Sequence, residues 1–255
     1  MEILDFIFLC LAGFIAAAVD SIAGGGGLIS LPAILAVGVP PHLALGTNKF
    51  ASTCASFTST LTFAKSKKIY MPLIKYQIPC TLVGASLGVY TALKLDPAML
   101  QMMILFLIFA VAIYTIIKKD FGAEDKFQGL DKKNIILGCL FAFGLGFYDG
   151  FFGPGTGSFL IFLFISVFGF DFTIAAGNGK ILNFVSNVTS LVLFAISGNI
   201  MYMAGIPMAI FMILGARVGT KIAIKNGAKV IKPIFVTIAL VLTAKLLYQS
   251  LMKLL

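Results

Sequence analysis

Hydrophobic stretches recur from one end of this sequence to the other, and they limit the fold more than any other feature. A helix needs about 20 mostly apolar residues to cross a hydrocarbon core of about 30 Å. Only 11% of the residues are charged, against about 25% in a soluble domain. The sequence therefore predicts an all-α polytopic membrane protein, with no room left for a soluble domain.

The few charges of the chain indicate topology. Its net charge is +9, but the basic residues lie mostly in short loops between apolar segments, which argues against a nucleic-acid partner. Glu2 and Asp5 stand where a secretory signal would carry Lys or Arg, so the first apolar segment is expected to be retained.

The second half of the sequence resembles the first. At one constant offset, matches occur at Ala44 and Ala175, Gly46 and Gly177, Lys49 and Lys180, Thr58 and Thr189, Gly84 and Gly215, and Gly88 and Gly219. With a two-residue slip in a loop, Asp20, Gly24 and Gly26 match Asp149, Gly153 and Gly155. Glycines and lysines in register favour a duplication over chance matches between apolar segments.

Each half contains five apolar segments. They are predicted at residues 3–20, 28–39, 43–64, 72–93 and 97–117, and at 134–149, 157–170, 173–196, 202–224 and 230–252. The second segment of each half, at about 12 to 14 residues, is too short to span a bilayer and predicts a broken or re-entrant helix. We therefore expect a first transmembrane repeat at 1–120, a linker at 121–133 and a second repeat at 134–255.

The distribution of lysines predicts that the two repeats have opposite orientations. The loop after the third segment holds Lys65, Lys67 and Lys68, whereas its counterpart at 197–201 has no charge. By the positive-inside rule the first loop is cytoplasmic and the second is not, and the basic linker is also cytoplasmic. Two inverted-topology repeats are typical of secondary transporters that work by alternating access.

Two glycine-rich segments interrupt the apolar pattern at matching places, at 20–27 and 149–157. Irregular backbone at membrane depth persists only where it is buried in protein or lines a cavity. Its free N–H groups and the following helix N-terminus favour an anion. The alternative is that these glycines only allow close packing of helices.

Lys49 and Lys180 lie about two turns into the third segment of each half. A charged lysine at that depth is costly unless it faces a cavity or a partner, so the pair predicts a central positive site. The alternative is a pair of structural ion pairs with Asp20 and Asp149. Those aspartates are also candidates for coupling or gating, or for shaping the glycine turns.

The predicted substrate-binding residues combine both glycine segments, both lysines and the amides near them. They are Gly24, Gly25, Gly26, Gly27, Asn48, Lys49, Gly153, Gly155, Thr156, Gly157, Asn178, Lys180 and Asn183.

The sequence carries no pattern typical of an enzyme. It lacks a P-loop, a Ser-His-Asp order and paired carboxylates at helical spacing. His42 has no second ligand near it in sequence, and the four cysteines are scattered singly. We therefore predict neither a metal nor a cofactor.

The motifs Asp20...Gly24-Gly-Gly-Gly27...Pro32, Ala44-x-Gly-Thr-Asn48 and Gly84-Ala-x-x-Gly88 resemble those of the TauE/SafE family of sulfite exporters, also called toluene sulfonate uptake permeases. The resemblance covers essentially the whole chain. It implies a permease of the bacterial inner membrane that moves sulfite, sulfonates or related anions, coupled to an ion gradient. The second half departs from the pattern, with Pro154 and Thr156 in its glycine run and Gly179 opposite Asn48.

The resulting hypothesis is a secondary transporter of small anions whose glycine-rich breaks meet near the midplane. A proton or a sodium ion would be the coupling ion. The lipid bilayer would surround the protein. The alternatives are a passive anion channel, a membrane scaffold subunit that transports nothing, and a cation carrier using the two aspartates.

Overall fold

Nine helices account for most of the residues that the structure, a computed structural model, describes: 2–106, 126–127 and 129–226. They are α1 (Ile3–Ala23), α2 (Gly27–Ala36), α3 (Pro41–Lys65), α4 (Met71–Lys94), α5 (Pro97–Phe106), α6 (Lys132–Phe151), α7 (Thr156–Ser166), α8 (Phe172–Ile196) and α9 (Tyr202–Asn226). This confirms the predicted all-helical class. The tenth predicted segment, residues 121–125 and 128 of the linker and the second half of the fifth segment lie outside the described residues.

Among the described residues, four helices have both the length and the composition to cross a membrane: α1, α6, α8 and α9. The 25 residues of α3 and the 24 of α4 give comparable length, but these helices have a more polar composition. In α3 the polar residues are mostly inside the protein, because Thr47, Asn48, Lys49 and Ser56 are all buried. The short helices α2 and α7 have 10 and 11 residues, as expected for segments that cannot span.

The helices form two bundles, each with its own hydrophobic core. In the first bundle α2 contacts α1 and α3, and α9 packs against the same two helices. In the second bundle α7 contacts α6 and α8, and α4 packs against the same two helices. Each bundle thus joins three helices from one half of the sequence to the fourth helix of the other half.

Glycines set the distance between the helices that join the two halves. A Cβ on Gly84 of α4 would lie 2.2 Å from the carbonyl oxygen of Phe143 on α6, and one on Gly150 would lie equally close to that of Ala85. On the other side, a Cβ on Gly215 of α9 would lie 2.1 Å from the carbonyl oxygen of Phe14 on α1. The backbones of α4 and α6, and of α1 and α9, are therefore in direct contact, as small residues permit in membranes.

The helices α3 and α8 are antiparallel and cross between the bundles. The Thr60 hydroxyl donates to the carbonyl oxygen of Lys180 over 3.2 Å, and the Asn187 amide donates to the Ser56 hydroxyl over 3.5 Å. Residues later in α3 therefore meet residues earlier in α8. This crossing brings both buried lysines to the contact between the bundles.

Candidate functional site

The two glycine-rich segments touch each other, backbone against backbone. After α1 ends, Gly24 has a φ of +73°, and a Cβ there would lie 2.2 Å from the main chain of both Gly157 and Ser158. The Ser158 hydroxyl donates to the carbonyl oxygen of Ala23 over 2.8 Å. Only glycine fits such a contact at a positive φ, so the first break depends on Gly24 for both its conformation and its neighbour.

The second break is built from glycines around a proline. Gly153 and Gly155 have φ values of +97° and +87°, and α7 begins at Thr156, whose hydroxyl donates to the carbonyl oxygen of Gly153 over 2.7 Å. The Tyr148 hydroxyl donates to the carbonyl oxygen of Pro154 over 2.8 Å. The second break is therefore pinned by side chains, although Pro154 and Thr156 replace two of the four glycines found in the first.

Two ion pairs link the bundles beside these breaks. Lys49 of α3 donates to Asp149 of α6 over 2.8 Å, and Lys180 of α8 donates to Asp20 of α1. In each pair one residue comes from the first bundle and the other from the second. From the sequence, lysine–aspartate ion pairs are the alternative to a central positive site. This conformation contains such pairs, and the partners in each pair come from opposite halves of the chain.

The Lys49–Asp149 pair is embedded in a hydrogen-bond network of α8. Asp149 also accepts hydrogen bonds from the Ser186 hydroxyl and from the Asn183 amide, the latter over 3.3 Å. Lys49 has a second acceptor in the side-chain oxygen of Asn187, at 3.1 Å. Both charged side chains are only 2% exposed, so protein groups replace water around this pair.

The Lys180–Asp20 pair has fewer partners on its acidic side. Besides Lys180, Asp20 accepts one hydrogen bond, from the main-chain N–H of Gly26 over 3.0 Å. Its side chain is 20% exposed, whereas that of Lys180 is 3% exposed. The two related pairs thus differ. The Asp149 carboxylate is enclosed by hydrogen-bond donors, whereas the Asp20 carboxylate is more exposed.

A small cavity of about 20 Å³ lies where the breaks and the Lys49 pair meet. Its lining consists of Asp20, Gly25, Gly26, Gly27, Asn48, Lys49, Ser52, Ala55, Asp149, Gly153, Gly155, Gly157, Asn183, Asn187 and Met212. This volume is about what one water molecule needs. Any larger occupant therefore requires the lining to move apart.

Most of the predicted binding residues lie on this cavity, and four lie off it. Gly24 and Thr156 hold the breaks in shape, and Lys180 reaches the cavity only through Asp20. Asn178 is elsewhere: its side-chain oxygen accepts a hydrogen bond from the main-chain N–H of Tyr70 over 2.7 Å, at the start of α4. The structure therefore places Asn178 away from the cavity, whereas Asn48 and Asn183 line it.

The lining also contains residues absent from the predicted set. They are Ser52, Ala55, Asn187 and Met212. The sequence does indicate Asn187 as an amide near the lysines, because it follows Asn183 by four positions on nearly one helix face. Helical spacing could also have indicated Ser52, which follows Lys49 by three positions. Met212 reaches the site from α9, which no local pattern indicates.

The electrostatics of the site come from two neutralised ion pairs and from the N-terminal ends of two helices. Two lysines and two aspartates give no net charge. The N-termini of α2 and α7 lie at the cavity, since Gly27 and Gly157 line it. Such helix ends stabilise negative charge through unpaired N–H groups. An anion could thus replace an aspartate beside a lysine without leaving that lysine unpaired.

Known proteins match this chain over nearly its whole length. The family model described as "Sulfite exporter TauE/SafE" matches residues 9–246. The chain belongs to the TauE/SafE family. It is 38% identical over 244 residues to a "Probable membrane transporter protein" of Haemophilus influenzae, covering 96% of this chain and 94% of the relative.

Other TauE/SafE relatives agree with this assignment. The "Probable membrane transporter protein YfcA" of Escherichia coli K12 is 36% identical over 248 residues, covering 96% of this chain and 89% of its own. A "Sulfite exporter TauE/SafE family protein 3" of Arabidopsis thaliana is 29% identical over 111 residues, which are 43% of this chain and 23% of that protein. No solved structure matches the chain. The protein is thus a multi-pass membrane protein homologous to bacterial membrane transporters.

Proposed function

We propose that this TauE/SafE protein is a secondary transporter of small anions, with sulfite, sulfonates or related sulfur-containing or organic anions as its substrates. One observation carries the proposal: two helix N-termini and the buried Lys49 meet at one cavity between the bundles, with Lys180 one contact further. The anion would bind the main-chain N–H groups of the glycine segments together with Asn48, Asn183 and one of the lysines. The sulfur chemistry itself comes from the family, in which relatives are described as sulfite exporters.

Alternating access would follow from separation of the two bundles. The cavity has room for about one water molecule, so a sulfur oxyanion can enter only when the bundles move apart. Both ion pairs bridge the bundles and would break and re-form during that movement. The moving units are then the two bundles defined above, and each contains helices of both sequence halves.

The antiparallel packing of two helices that align in the duplication supports such a movement. The helices α3 and α8, which align in the duplication, are antiparallel where they cross. We propose that the two repeats have opposite orientations in a bacterial inner membrane, with the basic linker at 121–133 on the cytoplasmic side.

Ligand-induced thermal stabilisation of the detergent-purified protein tests the anion site. Sulfite, sulfate, thiosulfate, methanesulfonate, taurine and simple carboxylates are compared, and a ligand at 100 times its Kd should stabilise by about 2.7 kcal/mol. We expect a selective increase in Tm that is lost in both Lys49→Gln and Lys180→Gln. Lys65→Gln, which changes an exposed lysine at the end of α3, is the matched control and should keep the shift.

Transport in proteoliposomes then separates a carrier from its alternatives. A carrier saturates with substrate and exchanges labelled for unlabelled anion, whereas a channel gives flux without saturation at modest concentrations. A scaffold protein neither binds nor moves the anion. If Lys49→Gln and Lys180→Gln both keep wild-type saturable flux in folded protein, the site is assigned wrongly.

A further inference from the structure

The charges of the site are balanced before any anion binds. Lys49, Lys180, Asp20 and Asp149 form two ion pairs with no net charge, and three of the four side chains are at most 3% exposed. An anion that enters alone gives this buried site a net negative charge. Uncompensated charge at membrane depth is costly, so a positive charge should enter with the anion.

The two aspartates differ in how readily each could bind the positive charge that enters with the anion. If an anion took Lys49 from it, Asp149 would still hold hydrogen bonds from Ser186 and Asn183. When an anion takes Lys180 from Asp20, this carboxylate keeps a single hydrogen bond, from the Gly26 N–H. A carboxylate that loses its cation in a weakly polar site favours its neutral, protonated form.

Among the residues that the structure describes, the surroundings of Asp20 contain no second cation in the place of Lys180. From α3 and α6 the charged groups at the cavity are Lys49 and Asp149, which already pair with each other. From α7 the nearest group is the uncharged Gly157, and α2 contributes only glycines at this point. The charged residues described on α9, Arg217, Lys221 and Lys225, are exposed on its outer side. A proton is the ion that Asp20 can bind where it stands, and at 20% exposure the carboxylate is open to it.

We infer that the site takes up one proton with each monovalent anion, that Asp20 carries this proton, and that Asp149 stays ionised as the partner of Lys49. The anion displaces the Asp20 carboxylate from Lys180, and a proton from water adds to that carboxylate. The loaded site then holds Lys180 with the anion, Lys49 with Asp149, and a neutral Asp20. On release the proton leaves Asp20, which pairs again with Lys180. This inference rests on the proposed anion transport and specifies its coupling ion.

The test uses the full chain in proteoliposomes with labelled methanesulfonate, whose acid is fully ionised at any working pH. With the interior one pH unit more alkaline, electroneutral symport of one proton predicts about tenfold accumulation inside. A potassium diffusion potential should leave this ratio unchanged. A trapped pH indicator should record one proton entering for each anion.

The decisive variant is Asp20→Asn, which cannot bind the proton. The accumulation ratio at one pH unit should fall from about tenfold to about one, at whatever rate the variant reaches it. Asp131→Asn makes the same chemical change at the exposed N-cap of α6 and should keep the ratio at about tenfold. If Asp20→Asn still accumulates anion about tenfold, Asp20 does not carry the proton.

The wild-type measurements decide the matter even if Asp20→Asn does not fold. Saturable exchange of methanesulfonate without proton entry overturns the coupling while leaving the proposed anion transport in place. Absence of both stabilisation and exchange with methanesulfonate and sulfite overturns the proposed function itself. Accumulation that follows the potassium potential instead of the pH gradient overturns the one-to-one stoichiometry.

Discussion

Lys49 and Asp149 are 100 positions apart in the chain, yet their side chains form a 2.8 Å ion pair between α3 and α6 that excludes water almost completely. A related pair, Lys180 with Asp20, forms between α8 and α1. Each pair bridges the two bundles, so the charges that the sequence repeats are used to connect the two units of the fold. The predictions below follow from this arrangement.

Removal of Lys49 should destabilise the protein strongly. In Lys49→Met, Asp149 keeps its charge but loses its cation, and such a change costs about 3 to 5 kcal/mol. Thermal unfolding in detergent measures the loss, with Lys65→Met as the exposed control. The double variant Lys49→Met/Asp149→Asn should lose less than the sum of the two single changes, because no unpaired charge remains. Additive losses would show that the two side chains do not act as a pair.

Gly24→Ala should be far more harmful than Gly38→Ala. Both glycines have a positive φ, +73° and +84°, so each alanine costs about 1 to 3 kcal/mol of backbone strain. A Cβ on Gly38 meets nothing within 4 Å, whereas one on Gly24 overlaps the main chain of Gly157 and Ser158. Expression as a monodisperse protein and its Tm provide the comparison. Equal losses in the two variants would contradict the backbone contact between the breaks.

Substitutions of Asn178 and Asn183 in α8 should have different effects, one on protein stability and the other on anion binding. Asn178→Ala leaves the Tyr70 N–H without its acceptor, which costs about 1 to 3 kcal/mol, and should keep the anion affinity. Asn183→Ala changes a cavity wall and should weaken anion binding. The dissociation constant from thermal-shift titration, measured for both variants, distinguishes the two roles. Weaker binding in Asn178→Ala than in Asn183→Ala would reverse this assignment.

A crosslink between the two bundles should block transport, whereas a crosslink within one bundle should not. The thiols of Cys80 on α4 and Cys139 on α6 both donate to the carbonyl oxygen of Tyr76, at 3.5 and 3.4 Å, so the two sulfur atoms are neighbours within the second bundle. Joining them with a thiol oxidant should leave anion flux close to its untreated value. The outcome that contradicts bundle movement is a flux that stops on this crosslink and recovers on reduction.

The matched crosslink across the bundles uses Phe57 of α3 and Phe184 of α8, whose ring centroids are 5.4 Å apart. The Phe57→Cys/Phe184→Cys variant, in a background with Cys80→Ser and Cys139→Ser, is joined by a short bifunctional maleimide. Flux should fall at least about tenfold, because substrate access requires these helices to separate. The uncrosslinked variant controls for the substitutions themselves.

Much of the architecture could be predicted from the sequence because membrane helices are specified locally. Eight predicted segments agree with described helices to within about four residues, and the short α2 and α7 follow the glycine-rich segments as expected. Lysine and aspartate stand out in an apolar chain because a charge is costly in lipid unless it has a partner or a cavity. Runs of glycine stand out because they interrupt helices. That is why most of the cavity residues were found without a structure.

Tertiary structure alone decided which charges pair and which helices pack together. The spacing of Lys49, Lys180, Asp20 and Asp149 is compatible with pairs inside one half, and only the crossing of α3 with α8 between the bundles brings partners from opposite halves together. Met212 enters the site for the same reason. The sequence by itself determined the helices, the breaks and the buried charges, because hydrophobicity and backbone preference act over a few neighbouring residues. Pairing across 100 and 160 positions depends on helix contacts that no local pattern encodes.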